Sequence, residues 1–374
     1  LLFKRLLAQS SVKDIYEKVE QGVRITDEDA LRLYQTNDLH VLGAMANLVR
    51  ERKNGNDTFY NINRHIDYTN VCATTCKFCA FSRFEGEEGA FEFTHQQIAQ
   101  KAREGFEREG ITELHIVGGL HPNYDLEWYE QMLQLLKKTV PSVHLKCFTG
   151  VEINFFADKF NMSYKDVLSR LMAAGLDSMP GGGAEIFHPE VREQICPGKG
   201  TADQWIEVHR TAHGLGLKTN ATMLYGHVEK YEHRVDHMRR LRALQDETGG
   251  FQTFIPLAFH PDHTAMDHFA RPSGIEDLKT LAIGRVYLDN FPHIKAYWIM
   301  LGIKLAQLSL SYGVDDIDGT VIEENIYHMA GAETPEIMTV AELRRLIQEA
   351  GRTPVERDTL YKELKRFQEP ALTK

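Results

Sequence analysis

A strand-then-helix rhythm, repeated about eight times from residue 59 onwards, leaves this 374-residue chain few architectures. Strand-like runs stand at FYNINRHIDYT (59–69), ITELHIV (111–117), VHLKCFTG (143–150), LDSM (176–179), LKTNATMLY (217–225), FQTFIPLAF (251–259) and IKAYWIM (294–300). A weaker one is expected around Val314. Helical segments lie between them. Thr94, with Gln97 three residues on, has the form of a capping box before Ile98, Ala102 and Phe106 on one face, and Gly110 is the stop. Asp125 and Ser163 are further cap candidates, and helices are expected near 202–213, 232–247, 275–289 and 302–311. Such alternation means parallel strands joined by right-handed helical crossovers, and eight units can close on themselves. The expectation is an α/β chain with a (β/α)8 TIM-barrel-like core over 59–338. A helical extension over 1–58, with Asp27 as one cap, precedes it, and an amphipathic helical tail over 339–374 packs outside.

Composition narrows the function classes. Lys and Arg number 43 against 53 Asp and Glu, a net charge of −10, which argues against a protein built to grip nucleic acid. No run approaches the eighteen or so apolar residues of a membrane span. The N-terminal stretch LLFKRLLAQSSVKDIYEKVEQG is too broken by charge for a signal peptide. A cytoplasmic protein is expected, and its five cysteines suit a reducing compartment, where clustered thiols hold metal rather than pair.

In barrels of this kind the chemistry sits at the C-terminal ends of the strands. The residues able to do chemistry follow that rule. Cys72 comes after the first strand, Gly118-Gly119 after the second, Glu152 after the third and PGGGAE (180–185) after the fourth. Gly226-His227 follow the fifth and His260 the sixth. NVCATTCKFCAF places Cys72, Cys76 and Cys79 in a C-x3-C-x2-C spacing on the first of these loops. Three thiolates on one compact loop can each hold a different iron of a cubane, leaving a fourth iron open. Zinc is the alternative, although no second C-x2-C or H-x3-H half accompanies the three cysteines. Cys147 reads as a buried structural thiol within its strand.

This spacing after the first strand of a barrel, with Phe78 beside the last cysteine, resembles the radical S-adenosylmethionine superfamily. The resemblance implies a radical SAM fold, a [4Fe–4S] cluster on Cys72, Cys76 and Cys79, and S-adenosylmethionine chelated to the open iron. It implies that Gly118 and Gly119 lie against the methionine amino group. Thr222, Leu224, Gly226 and Glu229 resemble the family's G-x-I-x-G-x-x-E adenine-binding pattern, with Thr222 replacing the first Gly. Gly182, within the Gly181–Gly183 run, lets backbone approach a ligand. Glu152 and Glu185 are candidate ribose partners. An electron donor such as flavodoxin or ferredoxin is implied as well.

Longer strings place the resemblance more finely: GGLHPNYDLEWY (118–129), SMPGGGAEIFHPEVREQICPGK (178–199), TNATMLYGHVE (219–229) and GTVIEENIYHMAGAETP (319–335). They are similar to a group holding the aminofutalosine synthase, dehypoxanthinyl futalosine cyclase and deazaflavin-forming synthase families. The last string and KAYWIMLG (295–302) are most similar to the aminofutalosine synthase family of the futalosine route to menaquinone. That resemblance implies a transferase that adds the 5′-deoxyadenosyl radical to 3-[(1-carboxyvinyl)oxy]benzoate, with rearrangement and loss of a carboxylate. S-adenosylmethionine is then a co-substrate. The sister families, which abstract hydrogen, are the alternative; a zinc-binding scaffold is the remote one. A small-molecule dicarboxylate needs cationic or hydrogen-bonding partners, for which Arg271, Lys295, His121, His260 and His293 are candidates. Asp315, Asp316 and Asp318 are expected to form a turn and an outer network rather than a metal site, because three carboxylates would repel such a substrate.

Overall fold

The computed structural model describes residues 2–367; Leu1 and residues 368–374, the end of the expected tail, lie outside the described residues. The described strands are β1 (Asp57–Asn61), β2 (Asn63–Asp67), β3 (Glu113–Val117), β4 (His144–Cys147), β5 (Ser178–Met179), β6 (Lys218–Tyr225), β7 (Phe251–Ala258), β8 (His293–Ile294), β9 (Asp316–Gly319), β10 (Thr353–Arg357) and β11 (Glu363–Arg366). Strands β2 to β8 are hydrogen-bonded in chain order, every neighbour parallel. The seven curl, and the segment around β9 draws their ends together. On one side Ala296 N–H donates to Asp316 O at 2.8 Å; on the other His65 N–H donates to Ile322 O at 2.9 Å. The eighth unit is therefore present, but it closes the ring through single bridges, Lys295↔Asp316 and Arg64↔Ile322, rather than a full ladder.

The strands alternate as a pleated chain must. Leu114, Ile116 and Leu145 face outward with Ile66, and the flanking helices cover them with Ile98, Ala102, Tyr129 and Leu133. The opposite faces of the same strands carry Glu113, His115 and Lys146 into the barrel. The caps at Thr94, Asp125 and Ser163 form as expected, accepting from the backbone N–H of Gln97, Trp128 and Asp166.

Several expectations are corrected. The run 59–69 divides at Ile62 into β1 and β2, which enter different sheets: β1 pairs with β9 and β10 in a four-stranded sheet of order β11-β10-β1-β9. The segment after Thr339 is one helix, Val340–Glu349, followed by β10 and β11, so it is not helical throughout. Asp27 is not a cap; Thr26 is, in a capping box with Asp29. Phe106 is 44% exposed, because a π-turn over Gly105–Glu109 inserts a residue and rotates it off the buried face. IKAYWIM is a strand only over its first residue, with Trp298–Leu301 a helical turn. The helix Gly150–Phe160 was not legible, because Gly150 through Asn154 are all buried and show no 3.6-residue alternation.

The ring-closing segment carries three aspartates, each matched by a different cation. Asp315 pairs with Arg285 and accepts from His293 Nδ1 at 2.6 Å; Asp316 accepts from Arg357 Nε at 2.7 Å; Asp318 accepts from Lys295 Nζ at 3.0 Å. Asp315 and Asp316 thus form a buried network as expected, whereas Asp318 departs from the expectation and lines the central cavity, its charge matched by Lys295. No helix among the described residues is long and apolar enough to cross a membrane. Removing one partner of a buried pair leaves an uncompensated charge, costing about 3–5 kcal/mol. Arg285→Met should therefore lower unfolding free energy by about that amount in denaturant titration; a loss below about 1 kcal/mol would show that Asp315 does not need this partner.

Candidate functional site

The loop after β2 is tied down by backbone bonds from distant parts of the chain. Cys72 N–H donates to Arg83 O at 2.9 Å, Ala73 N–H to Leu120 O at 2.8 Å and Lys77 N–H to Ile195 O at 2.7 Å. These bonds bring Cys72, Cys76 and Cys79, all half-buried and none in a disulfide, to the mouth of one cavity of about 270 Å3. Leu120 N–H points at Cys72 Sγ, 3.4 Å away. The glycine at 119 is what allows this packing, since a Cβ there would stand 2.1 Å from Val71 O. Burial pushes the Cys76 thiol up to about 12, against the pull of the nearby Lys199 ammonium.

Below the cysteines the rim is made by strand ends. Phe78, Gly118, Gly119, Glu152, Gly182, Glu185 and Thr222 all line the cavity. Lys199, which sequence reasoning did not single out, lies 5.0 Å from the centre of the Phe78 ring and donates to Glu185 Oε1 at 2.5 Å. The Thr222 hydroxyl donates to Gly181 O at 2.6 Å, which ties the end of the glycine run to β6. Glu152 is buried at N3 of the helix Gly150–Phe160, accepting from Thr149 N–H at 2.7 Å and from the Tyr68 hydroxyl at 2.9 Å. Burial outweighs these donors and raises its pKa to about 7.

Other candidates fall elsewhere. Leu224, Gly226 and Glu229 do not line the cavity. Glu229 instead closes its own loop, accepting from Gly226 N–H at 2.6 Å and His227 N–H at 2.8 Å while pairing with Arg234. Of the five polar candidates for the substrate, only Lys295 reaches the cavity. Arg271 is on the surface, bound to Asp262 and Gly331 O. His121 stacks on Tyr124 with ring centres 3.6 Å apart, and His260 Nε2 bonds Met300 O at 2.9 Å. His293 belongs to the Asp315 network and stacks on Tyr361 at 3.6 Å. Nearness to a strand end in sequence does not settle whether a side chain reaches the cavity, and these four do not.

What reasoning from sequence missed is the floor. Glu113, His115, Lys146, His65 and Asp318 line the cavity deep inside the barrel with Lys295. Glu113 precedes Val117 by four residues, about 13 Å along the strand. In register, His65 sits beside His115 and His115 beside Lys146. Lys146 donates to Glu113 Oε2 at 2.8 Å, and despite burial the Lys146 ammonium holds Glu113 well below the usual carboxylate range. Burial pushes the pKa values of His65 and His115 down, so both rings are neutral near pH 7. Between floor and rim the walls are mainly apolar, with Val117, Ile255, Leu257 and Ile326 beside Tyr297 and Tyr327, and Asn220 and Glu324 are their polar members. The arrangement suits two ligands, one under the cysteines and one on the floor.

Comparison with known proteins agrees with this geometry. A model described as "Radical SAM superfamily" matches residues 66–241, and one described as "CofH/MqnC C-terminal region" matches 248–369. The chain is similar to the aminodeoxyfutalosine synthase of Thermus thermophilus, at 50% identity covering 94% of this chain and 95% of that one. It is also similar to a 5-amino-6-(D-ribitylamino)uracil–L-tyrosine 4-hydroxyphenyl transferase of Methanoculleus marisnigri, at 39% identity covering 94% and 97%. Among solved structures it superimposes on methylornithine synthase with a TM-score of 0.73 at 18% identity, covering 91% of this chain and 96% of that one, which shows a shared fold.

The raised pKa of Glu152 has a consequence for stability. Its folded value of about 7 exceeds the ordinary 4.5, so its contribution is complete below 4.5 and is lost as pH rises through about 7. Glu152→Gln lacks this titration. Its stability deficit relative to the wild type should shrink as pH is raised through that window in parallel denaturation series, whereas a constant deficit would mean that Glu152 is ionised throughout.

Proposed function

The chain belongs to the radical SAM superfamily as an enzyme of transferase type, and we propose that its reaction is the one that forms aminodeoxyfutalosine. The observation that carries this reading is the set of three unpaired cysteines on one tied-down loop, opening onto a single barrel cavity with a charged floor. The donor set fits an iron–sulfur cluster. Cys72, Cys76 and Cys79 would hold a [4Fe–4S] cluster; Cys147 and Cys196 are buried and do not line the cavity. Three ligands leave one iron for S-adenosylmethionine.

With that cofactor and co-substrate bound, the site is supplied with a 5′-deoxyadenosyl radical after one-electron reduction by a donor of the flavodoxin or ferredoxin type. The protein's own part is binding, orientation and exclusion of water. Phe78, Gly118, Gly119, Glu152, Gly182, Glu185 and Thr222 form the compartment for S-adenosylmethionine. The apolar walls below it keep a reactive carbon away from solvent, and Lys295 is the floor's candidate for the second substrate. That substrate is 3-[(1-carboxyvinyl)oxy]benzoate. The adenosyl carbon would bond to its terminal vinyl carbon, and the aryl ring would pass from the ether oxygen to the adjoining carbon. The carboxylate on that carbon would leave as CO2 with the one electron that began the reaction given back, so that closed-shell 6-amino-6-deoxyfutalosine forms with no net oxidation. The greater identity to an aminodeoxyfutalosine synthase than to the hydroxyphenyl transferase supports this choice.

Anaerobic reconstitution with iron and sulfide, reduction, and addition of S-adenosylmethionine with the enolpyruvyl benzoate test the reading by mass spectrometry. The expected product contains the adenosyl group and has lost one carboxylate, with one methionine formed per adduct. Free 5′-deoxyadenosine without an adduct would overturn this choice of reaction in favour of a sister enzyme. Replacing any one of Cys72, Cys76 or Cys79 by Ala should abolish both iron loading and turnover, while Cys196→Ala should retain iron; a fully loaded Cys76→Ala protein would remove the cluster assignment.

A further inference from the structure

The floor of the cavity holds cations whose hydrogen-bonding capacity the protein does not exhaust. Lys146 and Lys295 are each 3% exposed, and an ammonium has three N–H donors. Among the described residues Lys146 Nζ has one acceptor, Glu113 Oε2, and Lys295 Nζ has one, Asp318 Oδ1. A buried ammonium with unused donors is costly unless something else accepts them. Both lysines line the cavity, so the spare donors fall to its occupant. The two ion pairs cancel in charge. Glu324, the further carboxylate on this part of the lining, accepts from Tyr327 N–H and is matched by His328 at 3.3 Å, whose pKa its hydrogen bond to Glu324 raises to about 9. Every unused donor on the two pairs belongs to a cation, so an anion is the favoured guest.

The surroundings specify the anion further. His65 and His115 stack with ring centres 4.4 Å apart and planes 8° from parallel, and Tyr297 lies on His65 at 6.4 Å and 11°. His65 Nε2 is buried without a partner. Neutral flat rings beside two ammonium groups suit a flat ring bearing a carboxylate, which gains from both stacking and charge-assisted hydrogen bonds.

We propose that Lys146 and Lys295 are a joint anchor for an aryl carboxylate, the end of the second substrate remote from the reacting carbon. The assignment rests on the function proposed above, in which the vinyl group faces the cysteine end. It has a chemical logic: the benzoate carboxylate survives into the product while the vinyl carboxylate leaves. Holding the group that stays keeps the molecule in place while bonds rearrange at its other end.

Binding tests the anchor without turnover. Cluster-loaded, unreduced protein is titrated with 3-hydroxybenzoate and with its neutral amide, 3-hydroxybenzamide, by calorimetry. The wild type should prefer the acid by tenfold or more. The charge-neutral double variants Glu113→Gln/Lys146→Gln and Lys295→Gln/Asp318→Asn should bind the acid about tenfold to a hundredfold more weakly, with little change for the amide and with S-adenosylmethionine affinity retained. Where a double variant loses S-adenosylmethionine as well, the acid-over-amide ratio of the wild type decides. Equal affinity for acid and amide, no binding of the acid, or full acid binding by folded double variants overturns the anchor. A wild type that shows the acid preference but forms no adenosyl adduct would instead sink the proposed reaction and leave the anchor standing.

Discussion

Charge inside a barrel has to be matched where it sits, and that requirement organises this molecule. The barrel interior is usually filled by branched apolar side chains. Here it carries Glu113, Lys146, Lys295 and Asp318, and each charge has an opposite partner about 3 Å away. The same rule governs the closing segment. Asp315, Asp316 and Asp318 answer to Arg285, Arg357 and Lys295, which come from the helix Gly274–Tyr287, from β10, and from the residue after β8. One short stretch thus fastens an outer helix, the C-terminal sheet and the floor of the cavity to one another. An ion pair of this kind adds little net stability over well-packed apolar residues. Its value is that a wrong arrangement leaves a charge stranded.

The cavity divides according to which parts of the chain build it. Loops after the strands make the upper part, where glycines permit backbone to meet backbone and three thiols share one wall. Strand interiors make the lower part, where side chains stand at fixed levels set by the ladder register. The first suits a ligand held by many weak backbone contacts. The second suits one held by a few strong charged contacts on a rigid frame, since groups on strands are positioned more precisely than groups on loops.

That division also explains what the sequence revealed. The order of strands, the caps at Thr94, Asp125 and Ser163, the cysteine loop and the glycine runs are local signals, carried by spacing over a few residues. The floor is not local. Lys146 stands in a run that reads as a buried strand, and Glu113 and His115 alternate with Leu114 and Ile116. Nothing in the sequence marks the face of Lys146, or that of Glu113 and His115, as the interior, because helices bury the other face equally well. His121, His260, His293 and Arg271 are the converse case: near a predicted strand end along the chain and outside the cavity in space. His293 sits one register step from the cavity and is held by Asp315 outside it.

The ring closes across a long gap in the chain. Asn63 N–H bonds the Thr320 hydroxyl, 257 positions away, and the neighbouring bridges to β2 are of the same span. Contacts of that range carry a large loop-closure cost and make folding slow. Losing this closure would leave Lys295 on the floor without Asp318 and take away the wall that Glu324, Ile326 and Tyr327 give the cavity, so the long-range seal and the charged floor stand or fall together.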